Sequence, residues 1–253
     1  MESDSILRLC LENILNLVFL DVEISPNLSY VWGFYEQNTI KVEKEWDILS
    51  FSAKVGRKFI TLSQGDCDEE HLMIQLWNIL NEADCVIAHN GKKFDIRKIN
   101  TRFIKYGLTP PSPYKVIDTL QIARQKFAFN SNRLDALGEY LGIGRKKETG
   151  GFELWEGCMK GDLEAYSRLK KYNEQDVRLL ERVYQRLLPW IDNHPNYGVY
   201  SHSDMVCPNC GSKHLQSRGT ARTTTREYRR YQCQSCGKWS RDQLNINTIK
   251  PLV

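Results

Sequence analysis

Two carboxylates, Asp21 and Glu23, interrupt the end of an apolar run, N-L-V-F-L-D-V-E-I, over residues 16–24. Such a run forms a strand covered on both faces. Alternate side chains share a face, which sets the two acids side by side above Leu17 and Phe19. Paired acids at the end of a buried strand repel each other and lose hydration. Protonation, a basic partner or a bound cation relieves that cost, and a divalent metal is the expected answer where further acids converge. A second anomaly is Y-N-E-Q-D, residues 172–176. Leu169, Tyr172, Asp176, Leu180, Val183 and Leu187 recur every three or four residues, so a phenol and a carboxylate stand in one core-facing helical stripe. Tyr172 lies one turn before Asp176, and both can reach a single point. A buried Asp without a partner is costly, which favours a ligand role. Asp95, in A-H-N-G-K-K-F-D, follows a short buried strand and opens a helix. The helix dipole accounts for an acid there, and the position beyond a strand end adds a catalytic candidacy. Asp118 is explained as a helix cap and His89 as a structural residue at a strand end.

The other chemical signal is at the C-terminus. Cys207-Pro-Asn-Cys210-Gly and Cys233-Gln-Ser-Cys236-Gly are two C-x-x-C-G knuckles separated by 22 residues. Four thiolates at that spacing match a tetrahedral structural zinc site, with glycines permitting the turns that aim amides at sulfur. Between and beside the knuckles stand Arg218, Arg222, Arg226, Arg229 and Arg230, interleaved with Tyr228 and Tyr231, with Trp239 just after. Arginines pair with phosphates and rings stack on bases, so this composition suits single-stranded or frayed nucleic acid; the alternative is a solvated hairpin. From Met205 onward nine Lys or Arg face two acids, 9 − 2 = +7, against +4 for the whole chain. The basic character therefore belongs to the tail.

The elements that must position these groups follow from periodicity. Leu28–Tyr35, Asp47–Val55 and Lys58–Leu62, the last two flanking Gly56-Arg57, read as consecutive, mostly antiparallel strands. Glu69–Glu82 reads as a helix, Cys85–Ala88 as a buried strand, and Phe94 to about Gly107 as a second helix. Val116-Ile117 is a short strand before a helix capped by Asp118, with another helix over Asn132–Leu141. Gly142–Gly151 has the composition of a mobile loop and lacks the Gly-Lys-Ser/Thr ending of a phosphate-cradling loop. Asp162–Leu188 is the longest helix, closed by Pro189. Three regions result: residues 1–188, a linker over 189–204, and a cysteine module over 205–253. A length of 253 residues and 41% hydrophobic content suit one sizeable core plus a small module,. There is no uninterrupted apolar run of spanning length. The apolar segment Ile6–Leu20 is flanked by Glu2, Asp4 and Glu12 where a signal peptide would carry positive charge, so a cytoplasmic or nuclear location is expected.

Together F-L-D-V-E (Asp21, Glu23), A-H-N-G-K-K-F-D (Asp95) and Y-N-E-Q-D (Tyr172, Asp176) resemble, in order, the motifs of the DEDD or DnaQ-like superfamily of 3′-to-5′ exonucleases. The Y-x-x-x-D form resembles the tyrosine-bearing subclass, as in proofreading domains of family B polymerases. I-D-T-L-Q-I-A-R and L-D-A-L-G-E-Y-L-G-I look like connecting segments of the same family, so the resemblance covers roughly residues 14–188. It implies an α/β, ribonuclease H-like mixed sheet flanked by helices, and the cysteine module resembles a small zinc ribbon. It also implies two Mg or Mn ions, which jointly deprotonate water and stabilise charge on phosphodiester oxygens. Asp21 would bridge both ions, Glu23 and Asp176 complete the water-activating site, Asp95 support the second ion through water, and Tyr172 orient the attacking water. Asn90 and Lys92 are candidate nucleic-acid contacts. Ile24 departs from the family, which often has Thr there. The expected activity is 3′-to-5′ exonuclease action on DNA, with one structural zinc and a polymerase or repair partner in trans. An endonuclease or ribonuclease on the same fold, or a non-catalytic nucleic-acid-binding adaptor, are the alternatives, and the choice of DNA over RNA rests on the resemblance alone.

Overall fold

The computed structural model describes residues 15–35, 38–145 and 151–247. Half of the Gly142–Gly151 loop expectation, residues 146–150, and the apolar segment before residue 15 lie outside the described residues. The chain divides into two compact units, one spanning Asn16–Tyr184 and one containing the chain from Gln185 onward.

The first unit is built on β1 (Leu17–Ile24). After it, β2 (Leu28–Tyr30) and β3 (Lys41–Lys44) pair only with each other. The expected Leu28–Tyr35 strand therefore ends at Tyr30 and stays out of the main sheet. No apolar layer covers it: Trp32, Phe34 and Tyr35 stand exposed, and a strand outside the core gains little from its strand-forming residues,. The main sheet adds β4 (Ile48–Val55), β5 (Lys58–Ser63), β6 (Cys85–Ala88) and β7 (Lys115–Asp118). Its order is β5-β4-β1-β6-β7, with β1, β4 and β5 antiparallel in sequence and β1, β6 and β7 parallel. Gly56, at φ +57°, makes the β4–β5 turn that the sequence predicts,.

Both faces of the sheet are covered, as the doubly apolar β1 requires. Val18, Leu20 and Val22 point to a core with Leu72, Met73 and Leu76 of α1 (Glu69–Asn81) and Ile99 and Phe103 of α2 (Asp95–Lys105). Within this layer Glu69 is buried and takes bonds from Arg102 Nε at 2.6 Å and the Ile48 amide at 2.7 Å. Tyr106 and Asp47 complete the cluster around Arg102 and Glu69. Burial opposes ionisation of Glu69, but bonds from Arg102, Tyr106 and the Ile48 amide outweigh it and hold the carboxyl below its usual range,. After β7 come α3 (Thr119–Lys126), α4 (Leu134–Tyr140), α5 (Glu153–Met159) and the long α6 (Leu163–Leu187). Helix α5 carries no strong sequence periodicity and is visible only in the structure. It packs Leu154 and Cys158 with Leu49, Tyr166 and Leu169 on the second face of the sheet, where Phe19 meets Tyr184 edge to face at 5.2 Å.

The second unit is a three-stranded antiparallel sheet of β8 (Leu215–Arg222), β9 (Glu227–Cys233) and β10 (Trp239–Asn245). The segment read as a linker carries its own structure, a 3-10 turn at Leu188–Trp190 and the short α7 (Tyr197–Tyr200). Asn209 Nδ2 donates to the carbonyls of Leu188 at 2.8 Å and Ile191 at 3.0 Å, and Lys238 Nζ donates to Ile191 at 2.8 Å. Among the described residues no helix is long and apolar enough to cross a membrane.

Candidate active site and cysteine cluster

Asp21, Glu23 and Asp176 each offer an oxygen within 4.8 Å of the others. Two come from one face of β1 and the third from α6, which lies over that face. The pairing of β1 with β4 slips between Glu23 and Ile24; Glu23 stands opposite Ser50, while alternation turns Ile24 into the core,. The departure at Ile24 thus leaves the acid cluster intact. Asp95, the first residue of α2, is buried and lies outside that group; its Oδ1 accepts from the Val22 amide, between the two β1 acids, at 3.3 Å. This places Asp95 beside the cluster rather than within it.

The α6 stripe differs from the one predicted. Asn173, not Tyr172, fills the row between Leu169 and Asp176, and it is fully buried. Steps of four, three and four residues from Leu169 reach 173, 176 and 180, which follows the 3.6-residue period more closely than a row through 172. Asn173 Nδ2 donates to Asp21 Oδ2 at 2.6 Å, while its Oδ1 accepts from Ser50 Oγ at 3.2 Å. It is the functional residue that sequence reasoning missed; the signal was a buried-register amide three residues before Asp176. Tyr172 is half-buried on the flank of the stripe, its ring edge-on to Trp155 at 6.1 Å.

The loop after β6 is shaped by Asp118. Besides capping α3 at Leu120 N (3.1 Å), its carboxylate accepts from the amides of Asn90 (2.9 Å) and Lys92 (3.3 Å). The cap reading was correct but incomplete. Asn90 adopts φ +68°, and a Cβ on Gly91 would come within 2.4 Å of Ala88 Cβ, so the Asn-Gly pair is what permits this turn,. His89 is structural as predicted, its ring bridging Thr119 Oγ1 and the Asn132 carbonyl, each at 2.9 Å. Lys92 is exposed and Asn90 half-buried.

In the second unit the four cysteine sulfurs lie within 4.8 Å of one another, with Cys207···Cys236 and Cys210···Cys233 both at 3.6 Å. That is far beyond a disulfide of about 2.05 Å. It is close to the edge of about 3.8 Å that a tetrahedron with Zn–S of about 2.3 Å requires. Burial and the crowding of the sulfurs push the Cys210 and Cys236 thiols up, while at Cys233 burial is outweighed by the amides of Cys236 and Ser235 aimed at it, which bring that thiol down, so Cys233 is the member of the four most disposed to the thiolate,.

The arginine and aromatic residues do not form one surface. Strand pairing puts Tyr228, Arg230, Trp239 and Arg241 on one face, and Arg229, Tyr231 and Ser240 on the other,. Arg230 lies over the Trp239 ring at 4.8 Å. Tyr228 is buried with the Arg241 guanidinium over its ring at 4.0 Å, so that ring is not offered for base stacking. Arg222 pairs with Glu227 at 3.0 Å. Arg218, Arg226 and Arg229 are exposed, and Tyr231 half-buried.

A family model, RNase_H_2 of the RNase_H superfamily, matches residues 18–188. A DNA polymerase III of PolC type from Ureaplasma parvum serovar 3 is 28% identical over 123 residues, 47% of this chain and 8% of that protein. Protein NEN3 of Arabidopsis thaliana is 36% identical over 59 residues, 22% of this chain and 12% of its own. The chain thus spans only a small part of either relative. Among solved structures, the family B DNA polymerase of the archaeon Pyrobaculum calidifontis aligns with a TM-score of 0.55 over 83% of this chain and 31% of the polymerase, at 14% identity, a likeness of fold.

Proposed function

The chain belongs to the RNase_H superfamily, with a ribonuclease H-like nuclease domain, and we propose that it is a metal-dependent 3′-to-5′ exonuclease of the tyrosine-bearing DEDD type that releases nucleoside monophosphates from DNA. The observation that carries this reading is the convergence of Asp21, Glu23 and Asp176 within 4.8 Å, with Asp95 bonded to the strand between the first two. An all-oxygen carboxylate set fits the hard cations Mg and Mn. Bound there, such ions supply Lewis acidity to the phosphoryl oxygens and a hydroxide at neutral pH.

The chain's own residues divide the remaining work. Asp21, Glu23 and Asp176 would hold the cations, and Asp95, bonded to the Val22 amide, would support them from beside the cluster. Asn173 fixes the rotamer of Asp21 from below, so the carboxylate presents its other oxygen outward,. Tyr172, one turn before Asp176, orients the attacking water through its phenol. In the second unit the four cysteines hold one structural zinc, and the arginines that stand outward, with Trp239, hold the polyanionic strand.

The test uses end-labelled DNA and RNA with Mg or Mn, for the wild type and Asp21→Ala. A ladder shortening from the 3′ end of DNA, lost in the variant, is the expected result. A ladder on RNA alone makes the enzyme a ribonuclease, discrete internal products an endonuclease, and a shifted but uncut band an adaptor. Cleavage retained by Asp21→Ala rejects the site.

A further inference from the structure

A groove of about 800 Å³ lies beyond the acid cluster, between the loop after β6, helix α3 and the 130–135 segment that leads into α4. Strands β1, β6 and β7 run parallel, so the β1 acids, the 89–94 loop and the start of α3 all emerge from the same edge of the sheet. Open α/β sheets bind ligands at that carboxyl edge. The groove is lined mainly by polar groups, Asn90, Asn130, Ser131 and Asn132, with Arg124 and Arg133 beside them and one acid, Asp135. Among the described residues, neither arginine side chain has an ion-pair or hydrogen-bond partner, while acids elsewhere in the unit are largely matched. The walls are rigid: Asp118 holds the Asn90 and Lys92 amides, and His89 ties Thr119 at the head of α3 to the Asn132 carbonyl.

One atom there is unsatisfied. Asn132 Oδ1 is closed off from solvent and has no hydrogen-bond donor. An acceptor left in that state costs free energy that a donor would recover. Asn132 itself is one of the residues that line the groove.

We propose that this groove is a strand-binding subsite: Arg124 and Arg133 clasp phosphates of the polynucleotide one or more residues away from the reacting bond. Asn132 takes a hydrogen bond from the nucleotide there, given by a ribose hydroxyl or by a base amine. Two guanidiniums against a single acid, Asp135, with which neither forms an ion pair among the described residues, leave the groove net positive among its amides; that matches a phosphodiester backbone, and planar forks suit phosphate,. The subsite rests on the nuclease reading for its location, but its own test does not require cleavage.

The test is Arg124→Glu/Arg133→Glu in the full chain; both side chains are exposed, and a thermal melt checks that the fold is kept. Fluorescence anisotropy with a labelled ten-nucleotide strand, without added Mg or Mn so that the acids hold nothing, should show affinity reduced at least about tenfold and a shallower salt dependence. In turnover, cleavage of the ten-mer should fall at least about tenfold while hydrolysis of the p-nitrophenyl ester of thymidine 5′-monophosphate, too short to reach the groove, stays within about twofold. Unchanged affinity overturns the subsite even if the enzyme cuts, and an equal loss on ester and ten-mer overturns it by moving the arginines' effect to the acid centre. If the wild type cuts nothing, the nuclease reading fails, and the anisotropy result alone still decides the subsite. Asn132→Leu separates the two donors: a larger loss on RNA assigns the ribose hydroxyl and an equal loss on DNA and RNA the base amine, whereas no loss on either removes Asn132 from the subsite.

Discussion

The clustered acids make a prediction about stability that is independent of turnover. Asp176 is fully buried, and its oxygen lies within 4.8 Å of those of Asp21 and Glu23. At an effective dielectric of about 20, two like charges at that distance repel by about 332/(20 × 4.8), or about 3.5 kcal/mol, and Asp176 takes part in two such pairs. Counter-ions and relaxation reduce this ceiling, so Asp176→Asn, which keeps the shape and removes the charge, should stabilise the metal-free protein by about 2 kcal/mol. For a domain of this size that corresponds to a midpoint about 4–8 °C higher. The measurement is a thermal melt in buffer without Mg or Mn rather than in a chelator, which would also strip the cysteine site. Adding Mn at about a hundredfold over its dissociation constant should stabilise the wild type by about 2.7 kcal/mol and the variant by far less. The order of the two melting points therefore reverses as metal is added. A variant that melts below the wild type without metal, and rises equally with it, would show that the three carboxylates do not share a cation.

Four further outcomes follow, three from named contacts and one from the charge of the second unit. Asn173→Ala removes the amide that donates to Asp21 Oδ2; a bond to a charged group is worth about 1.5–3 kcal/mol, so kcat should fall about 10- to 150-fold with an unchanged circular dichroism spectrum, and a loss of less than about twofold refutes the positioning role. Because the Glu69 carboxyl is depressed in the folded state from its ordinary value of 4.5, its stabilisation is present above that value and is lost as pH falls through the lower folded value; Glu69→Gln should flatten that acid limb while lowering stability at neutral pH by about 1.5–3 kcal/mol, because Arg102 keeps Asp47 as its charged partner, and urea melts from pH 7 down to 3 check both. Cys233→Ser should abolish stoichiometric zinc measured by atomic emission, and truncation before Met205 should weaken strand binding and reduce its salt slope, with short substrates turned over as before; unchanged affinity would remove the second unit from binding.

How much of this was legible in the sequence depended on whether one local pattern decided the outcome. The β1 acids were legible because alternation on a strand fixes which residues share a face, whatever the tertiary surroundings. The cysteine cluster was legible because its spacing leaves few geometries. Asn173 was hidden because a helical stripe is broad enough to admit either 172 or 173, and only the packing of α6 on β1 chooses between them. The Leu28–Tyr35 segment misled because strand propensity expresses itself through burial, and nothing covers Trp32, Phe34 or Tyr35,. Tyr228 misled for the opposite reason: composition shows arginines and rings together, but the pleat sorts them onto two faces and buries one ring.

The same sorting bears on how the acids can be tolerated at all. A strand with Val18, Leu20 and Val22 on one face is anchored firmly enough in the core to carry two carboxylates on the other. Alternation carries Ile24 back to that core immediately after the second acid, so the unfavourable face is confined to one end of the strand,. Asp118 serves the same end of the sheet by using one carboxylate for two tasks, capping α3 and closing the Asn90 turn. Its charge is satisfied by amides rather than by a basic side chain, so Arg124 and Arg133 share their groove with one acid only, Asp135,. On the proposed reading the acid cluster takes divalent cations and the two arginines take phosphates, so one polynucleotide strand would engage both along the same sheet edge.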